Sequence, residues 1–133
     1  MQYKINGQVD PIQLADLRQS VGWNRMERES GSSRLKNYLQ ICCYDDTKLI
    51  GFVSAVSNGV TDAYIQDLMV NPEYQNRGIG TALMNQAIGY IKKDGIYMIS
   101  VVYGEENLKT FYEKFGFYTM LCGQMETDSV YRK

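Results

Sequence analysis

The sequence predicts a mixed α/β fold, an α+β arrangement with one mostly antiparallel central sheet and helices on both of its faces, in a chain of 133 residues. Three observations predict it. Apolar runs at 40–44, 48–56 and 63–70 follow one another with only turn signals between them, as a strand meander does. A helical pattern then separates the last of these from a β-branched run at 96–103, as a crossover connection requires. A pure Rossmann chain alternates strand and helix from its start, and this chain does not.

The elements can be justified in order. Residues 3–6 make a short first strand, turned at Gly7. Asp10-Pro11 opens a helix, with Asp as N-cap and Pro at the first position; its apolar stripe is Leu14, Leu17 and Val21, and Gly22 ends it. Residues 23–30 read as an irregular loop, after which Ser32 or Ser33 caps a second short helix through Leu35 and Leu39. The strands 40–44 and 48–56 pair around Asp45-Asp46, and Asn58-Gly59 turns the chain into 63–70. The core of that strand, 65–70, closes at Asn71-Pro72. A long helix follows, with Ile79, Leu83, Ala87 and Ile91 on one face, the cations Lys92-Lys93 at its negative end and Gly95 just beyond. A last helix carries Leu108, Phe111, Tyr112 and Phe115 at i, i+3, i+4 and i+7, with Glu105 and Glu106 at its positive end; Gly116 stops it. Residues 117–121 and 124–130 complete the expectation as a closing hairpin. With no repeat and no linker, residues 1–133 read as one domain.

Composition excludes several classes of function. A net charge of −1 without any Lys/Arg cluster argues against a general nucleic-acid binder. No apolar run is long enough to cross a bilayer, and the first residues lack a signal-peptide pattern, so the expectation is a cytoplasmic protein with no membrane partner. The cysteines Cys42, Cys43 and Cys122 have no C-x-x-C spacing and read as reduced structural thiols; the adjacent pair sits on a strand and points to opposite faces. Histidine is absent. Ser-His-Asp and Cys-His catalysis and a histidine-ligated zinc are thereby ruled out, and no metal site is expected. Proton transfer falls to Asp, Glu, Tyr, Lys, Cys or water.

The stretch Gln75-Asn76-Arg77-Gly78-Ile79-Gly80 lies where strand gives way to helix. Its glycines let the loop fold tightly and bring bare backbone N–H groups against a ligand, and the helix start adds unpaired donors and a partial positive charge. That combination suits a phosphate or pyrophosphate. The loop lacks the Lys-Ser/Thr ending of a P-loop and the third glycine of a dinucleotide fingerprint. Alone it is a weak signal, since glycines at strand–helix turns often serve geometry only.

Two motifs together carry more. Asn71-Pro72-Glu73-Tyr74 runs into Gln75-x-x-Gly78-x-Gly80 and a long amphipathic helix, and downstream comes Phe111-Tyr112-Glu113-Lys114-Phe115-Gly116-Phe117. In this the chain resembles the GNAT superfamily, the acetyl-CoA-dependent N-acetyltransferases, across essentially its whole length. The resemblance implies a GNAT-like acyl-CoA N-acyltransferase fold, a sheet splayed at the cofactor site, and acetyl-CoA as the cofactor. It implies that backbone amides around Gln75, Arg77, Gly78, Ile79, Gly80 and Thr81 hold the CoA pyrophosphate. It also implies a bulge in the preceding strand, with backbone groups near Leu68 and Val70 bonding the pantetheine arm as a missing strand would. The thioester is then aimed into the gap beside residues 99–101. An asparagine is common in the family seven residues before the tyrosine; Glu105 stands there, and Asn107 is the nearest asparagine for that cofactor contact.

The reaction sets further demands. An amine with a pKa near ~10.4 must lose a proton before it attacks, and a leaving thiolate of pKa roughly 8.5 departs more readily when an acid protonates it. Tyr112 matches the position where the family places that acid; it also completes the apolar face of its helix. Asp67 is a charge among Ile65, Leu68, Met69 and Val70, and either relays the amine's proton or serves a structural hydrogen bond. Trp23 and Met26 lie in the loop that, by the resemblance, forms the acceptor pocket; Trp23 is either an aromatic wall or a packing anchor, the anchor slightly favoured. Glu27 and Glu29 can attract a cationic amine, yet they alternate with Arg25 and Arg28 as a solvated loop does. The acceptor expected is a small primary amine, attacked directly in a ternary complex, and a homodimer is compatible with the resemblance. The alternatives are a non-catalytic acyl-CoA-binding or regulatory module, or a protein or peptide N-acetyltransferase.

Overall fold

The computed structural model describes residues 1–127. The chain divides into two units, Met1–Val101 and Val102–Lys133. The first holds one five-stranded sheet, in the order β1 (Gln2–Ile5), β2 (Leu39–Asp45), β3 (Lys48–Ser57), β4 (Asp62–Val70) and β5 (Met98–Val101). Neighbours from β1 to β4 pair antiparallel, whereas β5 joins β4 in parallel after the crossover helix α3 (Ile79–Lys93). The predicted turns account for this order. Asp46 takes a left-handed φ of 55° between β2 and β3. Asn58 Oδ1 accepts from the N–H groups of Val60, Thr61 and Asp62, closing the turn between β3 and β4.

Alternation along the strands gives the sheet two apolar faces. Cys42, Phe52 and Met69 pack with Leu14 and Leu17 of helix α1 (Pro11–Ser20) on one side. Neighbouring Cys43 and Gly51 meet Ile79 and Leu83 of α3 on the other. The two adjacent cysteines thus serve opposite cores, as their spacing predicts. Helix α1 begins as expected: Asp10 accepts from the Ile12 N–H at 3.0 Å and Pro11 occupies the first turn.

Four expectations need correction. The loop 23–30 contains a one-turn helix α2 (Glu27–Ser30), entered through Met26 at φ 48°, a start that carries no side-chain cap and so leaves no sequence signature. The helix expected from Ser32 does not form. Ser32 Oγ accepts from the Arg34 N–H and its carbonyl from the Leu35 N–H, which closes a turn, and Leu39 is drawn into β2 opposite Ala55. The strand expected at 96–103 is trimmed to β5, because the parallel ladder pairs only Met98–Val101 with β4 from Asp62 to Ile65. Residues 117–127 form no strand, so the first arm of the closing hairpin is absent; residues 128–130 of the second arm lie outside the described residues.

The second unit contains a 3-10 turn (Glu106–Leu108) that runs into helix α4 (Lys109–Glu113). Its apolar centre is aromatic. Tyr112 stacks on Tyr103, with ring centroids 4.9 Å apart, and meets Phe111 and Phe117 edge-on.

Candidate active site

Strand β4 is regular only over its first half. Phe52 pairs with Met69 and Ser54 with Gln66, so two residues of β3 span three of β4. The extra residue is a bulge at Asp67, whose φ of 56° is left-handed, a conformation that costs a non-glycine residue about 1 kcal/mol. Ser54, buried at this irregularity, donates to the Gln66 carbonyl. Beyond Ile65 the strand has no β5 rung, yet it continues to Val70. Leu68 and Val70 therefore stand on a strand whose β5-side edge ends its pairing early, the arrangement that accepts an extended ligand as an added strand.

The turn after β4 is pinned at several points. The Asn71 N–H donates to the Ile50 carbonyl at 2.8 Å, and Asn71 Oδ1 caps the short turn (Pro72–Tyr74) by accepting from Glu73. Tyr74 Oη donates to Asp45 at 2.7 Å. Gln75 Nε2 donates to the Val70 carbonyl at 3.0 Å, so the Gln75 side chain fastens the turn to the strand end and leaves only its backbone toward a ligand. Arg77 folds back in the same way, donating to the Glu73 carbonyl with its guanidinium over the Tyr74 ring.

Asn76 and Gly78 then take left-handed φ of 63° and 82°, and α3 begins with no side-chain cap. The helical ladder opens with Ala82 N–H donating to the Gly78 carbonyl at 3.0 Å, which leaves the N–H groups of Ile79, Gly80 and Thr81 ahead of it. A backbone nest at a helix start with no acidic residue in the first turn fits a phosphate group. The residues present suit the pyrophosphate of a CoA thioester.

Tyr112 and Asn107 lie in the second unit. Tyr112 is buried, and burial first, then neighbouring Tyr103, pushes its hydroxyl above the ordinary value of 10.0. It keeps its proton at neutral pH, as an acid must. Asn107 is exposed within the 3-10 turn that precedes α4. The buried pair offers no nucleophile: burial pushes the Cys42 thiol up to about 11 and raises that of Cys43.

The loop around Trp23 differs from the favoured expectation. Trp23 is 41% exposed, so it does not anchor α1 by burial; its ring lies over the Arg18 guanidinium, 5.4 Å from centroid to Cζ. Met26 is half-buried, and its Sδ accepts from Arg18. Glu27 pairs with Arg25, which also holds Asp16, and Glu29 lies 3.7 Å from Arg28. Asp67 Oδ1 lies 3.6 Å from Arg18 Nη1. Arg18 is the residue that sequence reasoning missed. Its signal was present: Leu14, Leu17, Arg18 and Val21 fall at i, i+3, i+4 and i+7, which puts a cation on the apolar face of α1.

Comparison with known proteins agrees with this geometry. Residues 11–117 match the model of the acetyltransferase (GNAT) family. The chain is 29% identical over 117 residues to the uncharacterized N-acetyltransferase ycf52 of Pyropia yezoensis, covering 84% of this chain and 67% of that protein. The GNAT family acetyltransferase SP0256 of Streptococcus pneumoniae superposes with a TM-score of 0.79 at 26% identity, over 96% of this chain and 98% of that one. An aminoglycoside 6'-N-acetyltransferase complexed with coenzyme A shares the fold, with a TM-score of 0.71 at 20% identity, over 87% of this chain and 84% of that one. The chain spans 37% to 67% of the length of the first curated relatives it matches. The bulged, half-paired strand, the uncapped helix start behind it and these likenesses lead to one assignment: the chain belongs to the acetyltransferase (GNAT) family.

Proposed function

We propose that the protein transfers an acetyl group from acetyl-CoA to a small primary amine, which attacks directly in a ternary complex. The observation that carries this reading is the uncapped α3 start behind the bulged β4, a backbone cradle for pyrophosphate next to an open strand edge. When bound, acetyl-CoA supplies the acetyl thioester; the chain's residues bind it and handle protons. The N–H groups from Gly78 to Thr81 hold the pyrophosphate, with the backbone at Gln75 and Arg77 closing the nest. Leu68 and Val70 align the pantetheine arm through their backbone, and Asn107 adds a cofactor contact. Tyr112 Oη holds a proton for the leaving sulfur. Asp67 Oδ accepts the amine's proton directly or through one water, a role its partial exposure allows. Trp23 and Met26 form the acceptor side. We place the protein in a reducing compartment such as the cytoplasm, supported by three free cysteines. Among the described residues no helix is long and apolar enough to cross a membrane.

The test is release of free CoA thiol from acetyl-CoA with a panel of small amines, peptides and lysine-containing peptides. A small amine that accelerates release supports the proposal, and a response confined to peptides favours a protein or peptide acceptor. Binding of acetyl-CoA without stimulation by any of them favours a non-catalytic acyl-CoA-binding module. Tyr112→Phe then tests the acid: turnover should fall ~100-fold with the KM for acetyl-CoA nearly unchanged. The pH profile gives a second readout. The raised Tyr112 hydroxyl stays protonated through neutral pH and loses its proton only above 10.0, so the wild-type rate should decline there. The Phe variant should lack that alkaline decline, and an identical decline in both removes Tyr112 from the role.

A further inference from the structure

Arg18 gathers two distant segments around one guanidinium. Its side chain is only 14% exposed, and a charge so enclosed needs partners on every side. Nε donates to the Asn24 carbonyl at 2.6 Å, Nη2 to Met26 Sδ at 3.3 Å, and Nη1 lies 3.6 Å from Asp67 Oδ1. The Trp23 ring covers its face. The main chain joins in, since the Arg18 carbonyl accepts from the N–H groups of Val21 and Trp23. One residue thus ties the 23–26 loop to the bulge of β4.

We propose that Arg18 is a positioning residue for the amine acceptor: it locks the loop carrying Trp23 and Met26 onto the Asp67 bulge, so that the acceptor meets both at a fixed spacing. The proposal rests on the roles of Trp23, Met26 and Asp67 given above. The geometry divides the labour. The short Nε bond fixes the loop firmly, while the long ion pair steers Asp67 and leaves its carboxylate, 43% exposed, open to an incoming ammonium. A planar fork is what this site needs, since one lysine nitrogen cannot reach Asn24, Met26 and Asp67 together. Among the described residues no hydrogen bond or ion pair joins the Arg18 side chain to the cofactor cradle at 75–81, so loss of Arg18 should act on the acceptor and not on acetyl-CoA.

The experiment compares Arg18→Gln and Arg18→Lys with the wild type, using the amine that gives the fastest thiol release. Both variants keep the main-chain bonds to Val21 and Trp23, and unchanged far-ultraviolet circular dichroism checks that they fold. The KM for the amine should rise ~10-fold in Arg18→Gln and less in Arg18→Lys, with the KM for acetyl-CoA moving less than ~2-fold. Trp23 is the only tryptophan, so its fluorescence reads the loop directly; acrylamide quenching should increase in the order wild type, Lys, Gln. Equal changes in both KM values, or no change in the amine KM, overturn the proposal. If no amine drives thiol release in the wild type, the proposed function fails, and the quenching alone then decides Arg18. Increased quenching upholds the lock between Arg18 and its loop, and unchanged quenching removes it.

Discussion

The two principal helices begin in opposite ways. Helix α1 closes its own start: the Asp10 carboxylate accepts from the Ile12 N–H, and Pro11 has no N–H to leave unpaired. Helix α3 leaves its start open: Gly78 brings no side chain, and left-handed turns at Asn76 and Gly78 curl the backbone into a nest. Both ladders then open alike, with Leu14 N–H on the Asp10 carbonyl and Ala82 N–H on the Gly78 carbonyl, each at 3.0 Å. The difference lies wholly in what occupies the positive end. A side chain there stabilises the fold, and its absence, in a turn pinned by Asn71, Tyr74 and Gln75, leaves the start open to the pyrophosphate that the proposed function assigns to it.

The strongest way to break this contrast is to give α3 the cap that α1 has. Gly78→Asp places a carboxylate where the proposed function puts the phosphates, on a backbone at φ 82° that already strains a side chain. Repulsion between like charges a few ångströms apart in a partly shielded site should raise the KM for acetyl-CoA by ~100-fold, equal to about 2.7 kcal/mol. Gly78→Asn meets the same strain without the charge and should cost only a few-fold. Isothermal titration with CoA separates the two. Equal affinity in the Asp variant and the wild type would show that the open start is turn geometry only.

A smaller effect sharpens how α3 is seated. A Cβ on Gly51 would lie 3.1 Å from Ile79 Cγ2, 3.2 Å from Leu83 Cδ1 and 3.2 Å from Cys43 Cβ. The two methyl groups can yield, but Cys43 Cβ is held by its strand. Ile79 is the first residue of the helix, so the displacement falls on the nest itself. Gly51→Ala should destabilise the fold by about 1 kcal/mol, at the low end of the range for overpacking, and raise the KM for acetyl-CoA a few-fold. Urea denaturation and the same titration check both. A gain in stability with unchanged affinity would mean that the strand–helix contact has slack.

Much of this contrast was legible before any coordinates. Asp10-Pro11 and the glycines of the 75–80 loop write their helix starts in residue types, because caps and left-handed turns are local chemistry. Ile79, Leu83, Ala87 and Ile91 are all buried, as their spacing predicts, because a face repeats with the helix period. Features set by pairing between distant strands were not written in the residues themselves. The resemblance implied a bulge in the strand before the loop, but its place at Asp67 depends on the register of β3 against β4, and the length of β5 on where β4 stops pairing. The Arg18 network joins segments almost fifty residues apart, and only its placement on an apolar helix face hinted at it. The one-turn α2 escaped because its start has neither cap nor periodicity.

The smallest expected effect is the control that gives the contrast its meaning. Asp10→Ala removes the cap of α1 and leaves the Ile12 N–H without its side-chain acceptor. That loss should lower stability by about 1 kcal/mol, near the usual value for an N-cap, and shift the urea midpoint without changing the slope. The KM for acetyl-CoA should not move, because the proposed function gives the α1 start no part in binding the cofactor. Asp10→Asn keeps an acceptor oxygen and should recover most of the stability. If Asp10→Ala instead weakened acetyl-CoA binding as Gly78→Asp does, the two helix starts could not be assigned separate duties. Each variant must therefore be read in both assays: a stability change without an affinity change belongs to a closed start, and an affinity change beyond what stability explains belongs to an open one.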